Sequence, residues 1–131
     1  MATPEAVRSA AEHYIEALNK RDLDAIVACF AEDAVHRDPA TAPPNAGREA
    51  IRTFFENALS ASDSWTVEPL AILACGRQAA LHLAFDVRSG RSGDTAMTLD
   101  VIELLDVGDD GLLTTLAAYW DAQQMEVAPV R

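Results

Sequence analysis

The apolar positions change period part-way along the chain. Up to about residue 60 they recur every three to four residues. Val7, Ala10, Ala11, Tyr14 and Leu18 make one stripe, Leu23, Ile26, Val27 and Phe30 a second, and Ile51, Phe54, Phe55 and Leu59 a third. That spacing predicts three helices, each with one buried side. Thr3-Pro4-Glu5 reads as an N-cap followed by proline at the first helical position, "NKRD" interrupts the first stripe, and Asp22 can cap the short second helix. Gly47 precedes the third helix, and a short strand over roughly residues 33 to 38 runs into Asp38-Pro39. After "SASDS" the pattern turns to alternation, and residues 65–74, 78–88, 95–105 and 112–121 read as four strands. "CGR", "SGRSGD" and "DVGDDG" supply turn chemistry between them. Short links between consecutive strands predict an antiparallel meander.

Three helices ahead of one antiparallel sheet predict an α+β domain. A curved sheet wrapped over helices makes a cone, closed at one end and open at the other, and pockets form at such helix–sheet boundaries. Strand 95–105 carries Met97, Leu99 and Val101 on one side and Ile102 and Leu104 on the other. A strand apolar on both faces is buried on both. The face turned away from the helices is therefore predicted to pair with a second copy, giving a homodimer.

Length and charge narrow the function classes. The 131 residues suffice for one domain, 1–131, and half of them are apolar, enough for a real core. No apolar run approaches the ~20 residues of a membrane span. "MATPEAV" has neither a basic segment nor an apolar core of a signal peptide, so the expected location is the cytoplasm. Ten Lys and Arg against 21 Asp and Glu give a net charge of −11. Such a chain repels phosphate backbones and anionic lipids, which argues against nucleic-acid and membrane partners. Cys29 ("IVACF") and Cys75 ("AILACG") are read as reduced, buried small hydrophobes. His13, His36 and His82 are scattered, away from any carboxylate or cysteine at metal spacing, and are read as surface or boundary residues. "DVGDDG" lacks the later glutamate of a calcium loop, so no metal is expected.

Three polar residues interrupt apolar stretches. Tyr14 lies on the stripe of the first helix, either as a core tyrosine or as a donor aimed into a cavity. Asp38 ends the first strand, either as a turn acid or as a base mounted rigidly by Pro39, which restricts the residue before it. Asp100 sits mid-strand between Leu99 and Val101, with Thr98, Ile102 and Leu104 on its own face. There it meets water at a sheet edge, pairs with a cation, or stays protonated. One proton acceptor with two neutral donors is what proton abstraction next to a carbonyl requires.

The chain resembles the bacterial steroid Δ5-3-ketoisomerases, members of the nuclear-transport-factor-2-like (NTF2-like, SnoaL-like, cystatin-like) cone fold. The resemblance runs from "TPEAV" through "HYIEALNKRDLDAIVACFAEDAVHRDP" to "GREAIRTFFENAL", thins between Trp65 and Thr95, and returns at "LDVIELL" and "AAYWD". It implies that Tyr14 is the catalytic tyrosine, Asp38 the general base and Asp100 the protonated acid. A carboxylic acid held neutral by an apolar site is a known property of ketosteroid isomerases. The implied reaction moves the C5=C6 bond of a 3-oxo-Δ5 steroid into conjugation through a dienolate, with no cofactor. Phe54, Phe55, Met97 and Trp120 are the expected walls for a flat apolar substrate, Trp120 beside the base. Similar relatives often carry tyrosine where this chain has Phe55. The same fold also hosts polyketide cyclases, dehydratases and epoxide hydrolases. A non-catalytic carrier of apolar ligands is the third reading, and the Tyr14, Asp38 and Asp100 set counts against it, since a carrier needs no base.

Overall fold

A computed structural model describes residues 2–90 and 95–129. Helix α1 (Pro4–Lys20) begins as its sequence dictates: the Thr3 hydroxyl accepts from the Ala6 N–H at 3.1 Å, with Pro4 in the first turn. Asp22 caps α2 (Leu23–Ala28) in the same way through Ala25. Strand β1 (Phe30–Arg37) follows, then the two-residue strand β2 (Asn45–Ala46). Helix α3 (Arg48–Ser60) starts at Gly47, whose φ of 88° favours glycine. The long strands β3 (Ser64–Cys75), β4 (Gln78–Ser89) and β5 (Thr95–Val107) lead to β6 (Leu113–Tyr119), a short 3-10 turn (Ala122–Gln124) and β7 (Glu126–Pro129). The turn expected at "SGRSGD" falls mostly outside the described residues.

The seven strands form one curved, unclosed sheet in the order β2-β1-β6-β5-β4-β3, with β7 paired to β5. From β3 to β6 it is the expected antiparallel meander. At β1 it departs from expectation, because β1 lies parallel to β6 with Arg37 opposite Ala117. A slip in the β3–β4 register at Pro69, which has no N–H to give the ladder, marks a bulge in that hairpin. Helices and inner sheet face share one core, with Val7, Leu18, Ile26 and Ile51 meeting Val67, Leu83, Val101 and Leu116.

The outer face is another matter. Leu73, Ile102, Leu104 and Tyr119 are 66%, 42%, 45% and 49% exposed, so in the single chain β5 is buried on one face only. Two smaller expectations are corrected. His36 is buried, because β1 turns it toward the aromatic side chains of α3. Cys75 ends β3 at the hairpin turn and is exposed, whereas Cys29 is buried as expected.

Candidate active site

Alternation along β5 sends Met97, Leu99, Val101, Glu103 and Leu105 to the inner face and Thr98, Asp100, Ile102 and Asp106 to the outer one. The acid on the buried face is therefore Glu103. Asp100, expected as the protonated acid, does not enter the inner space. Its side chain is 66% exposed and lies 3.7 Å from His82 Nε2 on the outer surface. Thr98 and Asp106, on the same outer side, are the polar company that gives this face to water.

A cavity of about 420 Å³ opens between the helices and the inner sheet face, within the range of about 300–1,000 Å³ usual for small-molecule sites. Phe54, Phe55, Met97 and Trp120 line it, together with Phe85, Leu99 and Val101. Two carboxyls reach the same cavity, Asp38 and Glu103. Hollows of about 500 and 560 Å³ occur on the outer face around Asp100, but they lack a buried acid. The inner cavity is the one that joins apolar walls to perturbed acids.

Each polar group there has an environment that fixes its state. Asp38 follows β1, and Trp120 follows the neighbouring parallel strand β6, so the two leave the sheet side by side. Trp120 Nε1 donates to Asp38 Oδ1 at 2.7 Å. Burial pushes the Asp38 carboxyl above its ordinary range, and the Trp120 hydrogen bond opposes that by stabilising the anion. Glu103 is 3% exposed, and its Oε1 has no hydrogen-bond partner among the described residues. Burial, with the nearby Asp38 charge second, pushes its carboxyl up to about 8. At neutral pH Glu103 is an acid with a proton to donate. Tyr14 is buried, and burial first, then the charges of Glu103 and Asp38, hold its phenol well above the usual value of 10. Asp38 and Glu103 share the cavity wall, and Tyr14 lies close enough for both charges to act on it.

An aromatic wall backs this space. Phe30 packs edge-on to Tyr14 at 5.6 Å between ring centroids, and Phe54 and Phe55 pack edge-on to each other at 5.1 Å. His36 closes the stack from behind, 4.6 Å from Phe54 and 5.3 Å from Phe55, with Nδ1 3.1 Å from Asn45 Nδ2. Burial lowers the His36 imidazole to about 4, so it is neutral, and accepting at Nδ1 leaves its proton on Nε2. Phe55 has no hydroxyl to offer Tyr14. The residue overlooked in the sequence, Glu103, carried its own signal: an acid in the middle of the stripe Met97-Leu99-Val101-Leu105-Val107. Among the described residues no group of three or more His, Cys, Asp or Glu is placed to hold a metal ion.

Known proteins resemble this chain in sequence and shape. Residues 11–116 match the SnoaL-like domain. Over 124 residues, 94% of this chain and 96% of the relative, the chain is 32% identical to a steroid Delta-isomerase of Nocardioides simplex. Among solved structures, the epoxide hydrolase/cyclase-like enzyme SalBIII, with a role in pyran ring formation in polyether salinomycin, matches with a TM-score of 0.89 at 24% identity. That match spans 98% of this chain and 100% of SalBIII, and the likeness is one of fold.

Proposed function

Because the chain belongs to the SnoaL-like, NTF2-like family and has a steroid Delta-isomerase among its relatives, we propose that it is an isomerase that moves the C5=C6 double bond of a 3-oxo-Δ5 steroid into conjugation. The observation that carries the reading is the pair of carboxyls, Asp38 and the buried Glu103, that line one apolar cavity, with the buried Tyr14 phenol near enough to feel both charges. Asp38, held by Trp120, takes the proton from the carbon between the ketone and the isolated double bond. Tyr14 and Glu103 each donate a hydrogen bond to the ketone oxygen, and these bonds strengthen as the dienolate charge develops there. Asp38 then returns the proton two carbons further along, leaving the conjugated enone. Glu103 thus takes the part expected of Asp100. Phe54, Phe55, Met97 and Trp120 clasp the flat rings, and the reaction as written uses no cofactor.

The test follows enone absorbance with a 3-oxo-Δ5 steroid. Wild type should turn it over, and Asp38→Asn should lose at least the ~10²–10⁴-fold that a positioned general base contributes. Equal rates for the two proteins would remove the proposal.

One observation favours a second reading. Glu103 as proton donor and Asp38 as proton acceptor in one cavity are also the acid–base pair that ring closure onto an epoxide requires. Inactivity toward the steroid, with tight binding of a phenolic steroid, would move the assignment there. The exposed outer row of Leu73, Ile102, Leu104 and Tyr119 supports a homodimer through that sheet face. Sedimentation at a mass near the 14.1 kDa of one chain would exclude it.

A further inference from the structure

The open end of the inner cavity is held by a side chain that the mechanism does not use. Arg21 ends α1 in a left-handed backbone, φ 52°, a conformation glycine ordinarily supplies. Its guanidinium lies 4.3 Å from the centre of the Trp65 ring. Nη1 donates to Ser62 Oγ at 3.1 Å, and Nη2 donates to the carbonyls of Leu59 at 3.1 Å and Ser62 at 2.9 Å. Ser62 Oγ donates onward to the Ala58 carbonyl at 2.9 Å, and Trp65 Nε1 donates to the Leu18 carbonyl at 2.6 Å. The last turn of α1, the end of α3 and the start of β3 therefore meet on one cation. Leu18, Ala58, Ser62 and Trp65 all line the cavity. Ser62 and Trp65 are half-buried, so the cavity wall reaches the surface here.

The contacts of Arg21 are those of a clamp. Its partners are two carbonyls, a hydroxyl and a ring. The positive charge rests at the carboxyl end of α3, where the helix dipole is negative. A planar fork can grip two carbonyls and stack on an indole at once, which a lysine ammonium cannot.

We propose that Arg21 is a positioning residue for substrate binding. It fixes Trp65 and the end of α3 as adjoining walls of the mouth, and so sets how firmly the outer half of a long, flat, apolar ligand is held. This rests on the inner cavity being the substrate site. The test measures, by calorimetry, binding of a four-ring phenolic steroid and of a two-ring naphthol short enough to occupy only the deep end. Steroid turnover is followed alongside. Arg21→Met keeps the aliphatic stem and removes the fork and the charge. It should weaken the four-ring phenol and raise KM about 10-fold, the scale of one lost cation–π clamp. The naphthol affinity, kcat at saturation and the pH profile of kcat should stay as in wild type. Unchanged four-ring binding, equal losses for both phenols, or a fall in kcat with KM unchanged would each overturn the proposal. If Arg21→Met does not fold, Arg21→Lys is read by the same criteria, since it keeps the charge and loses the fork. A wild type that neither binds the steroid nor turns it over would instead overturn the isomerase reading.

Discussion

Replacing Glu103 by glutamine should stabilise the protein relative to wild type as the pH rises, and should remove the alkaline fall in its activity. The folded chain holds the Glu103 carboxyl at about 8 against an ordinary 4.5. Each pH unit of that displacement is worth about 1.4 kcal/mol. The sign follows from linkage. A group raised on folding contributes stability that is fully present below 4.5 and is lost as the pH climbs toward 8. At pH 7 the unfolded chain has already ionised and the folded one has not, so the loss is about 3 kcal/mol, rising to a ceiling of about 5 kcal/mol above pH 8. Glutamine never ionises and escapes this loss. Urea unfolding of both proteins, at one protein concentration from pH 4 to pH 9, should show the variant gaining about 3 kcal/mol on wild type between pH 4 and pH 7. At roughly 3–5 °C per kcal/mol for a chain of this length, the difference is also a melting shift of about 10 °C. The Asp38 charge is the second cause of the displacement, so in an Asp38→Asn background the gain should shrink. Stability curves that run parallel at every pH would refute the reasoning, for Glu103 would then titrate as it does in water. In the same samples kcat/KM of wild type should fall above about pH 8, and the glutamine variant should lose that alkaline limb.

Three further outcomes follow from the same geometry. Trp120→Phe removes the hydrogen bond that lowers the Asp38 carboxyl, so the acid limb of kcat/KM should move to higher pH, by about one unit for a bond of ~1.5 kcal/mol to a charged group; an unmoved limb would mean that Trp120 only packs. His36 is held at about 4 against an ordinary 6.5, so wild type should lose about 3 kcal/mol as the pH falls from 6.5 to 4, and urea titration of His36→Leu should flatten that stretch. Tyr14→Phe should cut kcat by roughly 10²–10³-fold with little change in the affinity for a ketone-free steroid, because only one developing-charge contact is lost; a matching loss of affinity would make Tyr14 a packing residue instead.

Local chemistry was legible wherever a short segment decides its own conformation. Thr3 and Asp22 cap helices because the capping bond spans three residues, and Gly47 opens α3 for a reason contained in one dihedral. Alternation marked the four strands of the meander. Partner choice was not legible: nothing in "EDAVHRD" tells β1 to lie parallel to a strand 80 residues later, so the contact of Asp38 with Trp120 became visible only in three dimensions. The misplacement of the protonated acid has a different origin. Asp100 and Glu103 stand three residues apart, on opposite faces, and resemblance to a family drew attention to the aspartate. The side with Met97, Leu99, Val101, Leu105 and Val107 was the more apolar of the two, and period two alone assigns Glu103 to it. His36 was misread because a lone histidine carries no period, and its burial depends on aromatic residues brought over by α3.

The parallel pairing of β1 with β6 has a consequence for how this scaffold tolerates change. Asp38 is bracketed by two sheet-like ties: Arg37 stands opposite Ala117, and the Ala40 N–H donates to the Ala118 carbonyl at 2.7 Å. The segment from Thr41 to Pro44 lies outside that bracket and rejoins the sheet only at Asn45, opposite His36. Insertions or exchanges between Thr41 and Pro44 can therefore reshape the surface next to the site while the carboxylate keeps its aim, which makes that stretch the natural place to graft new specificity.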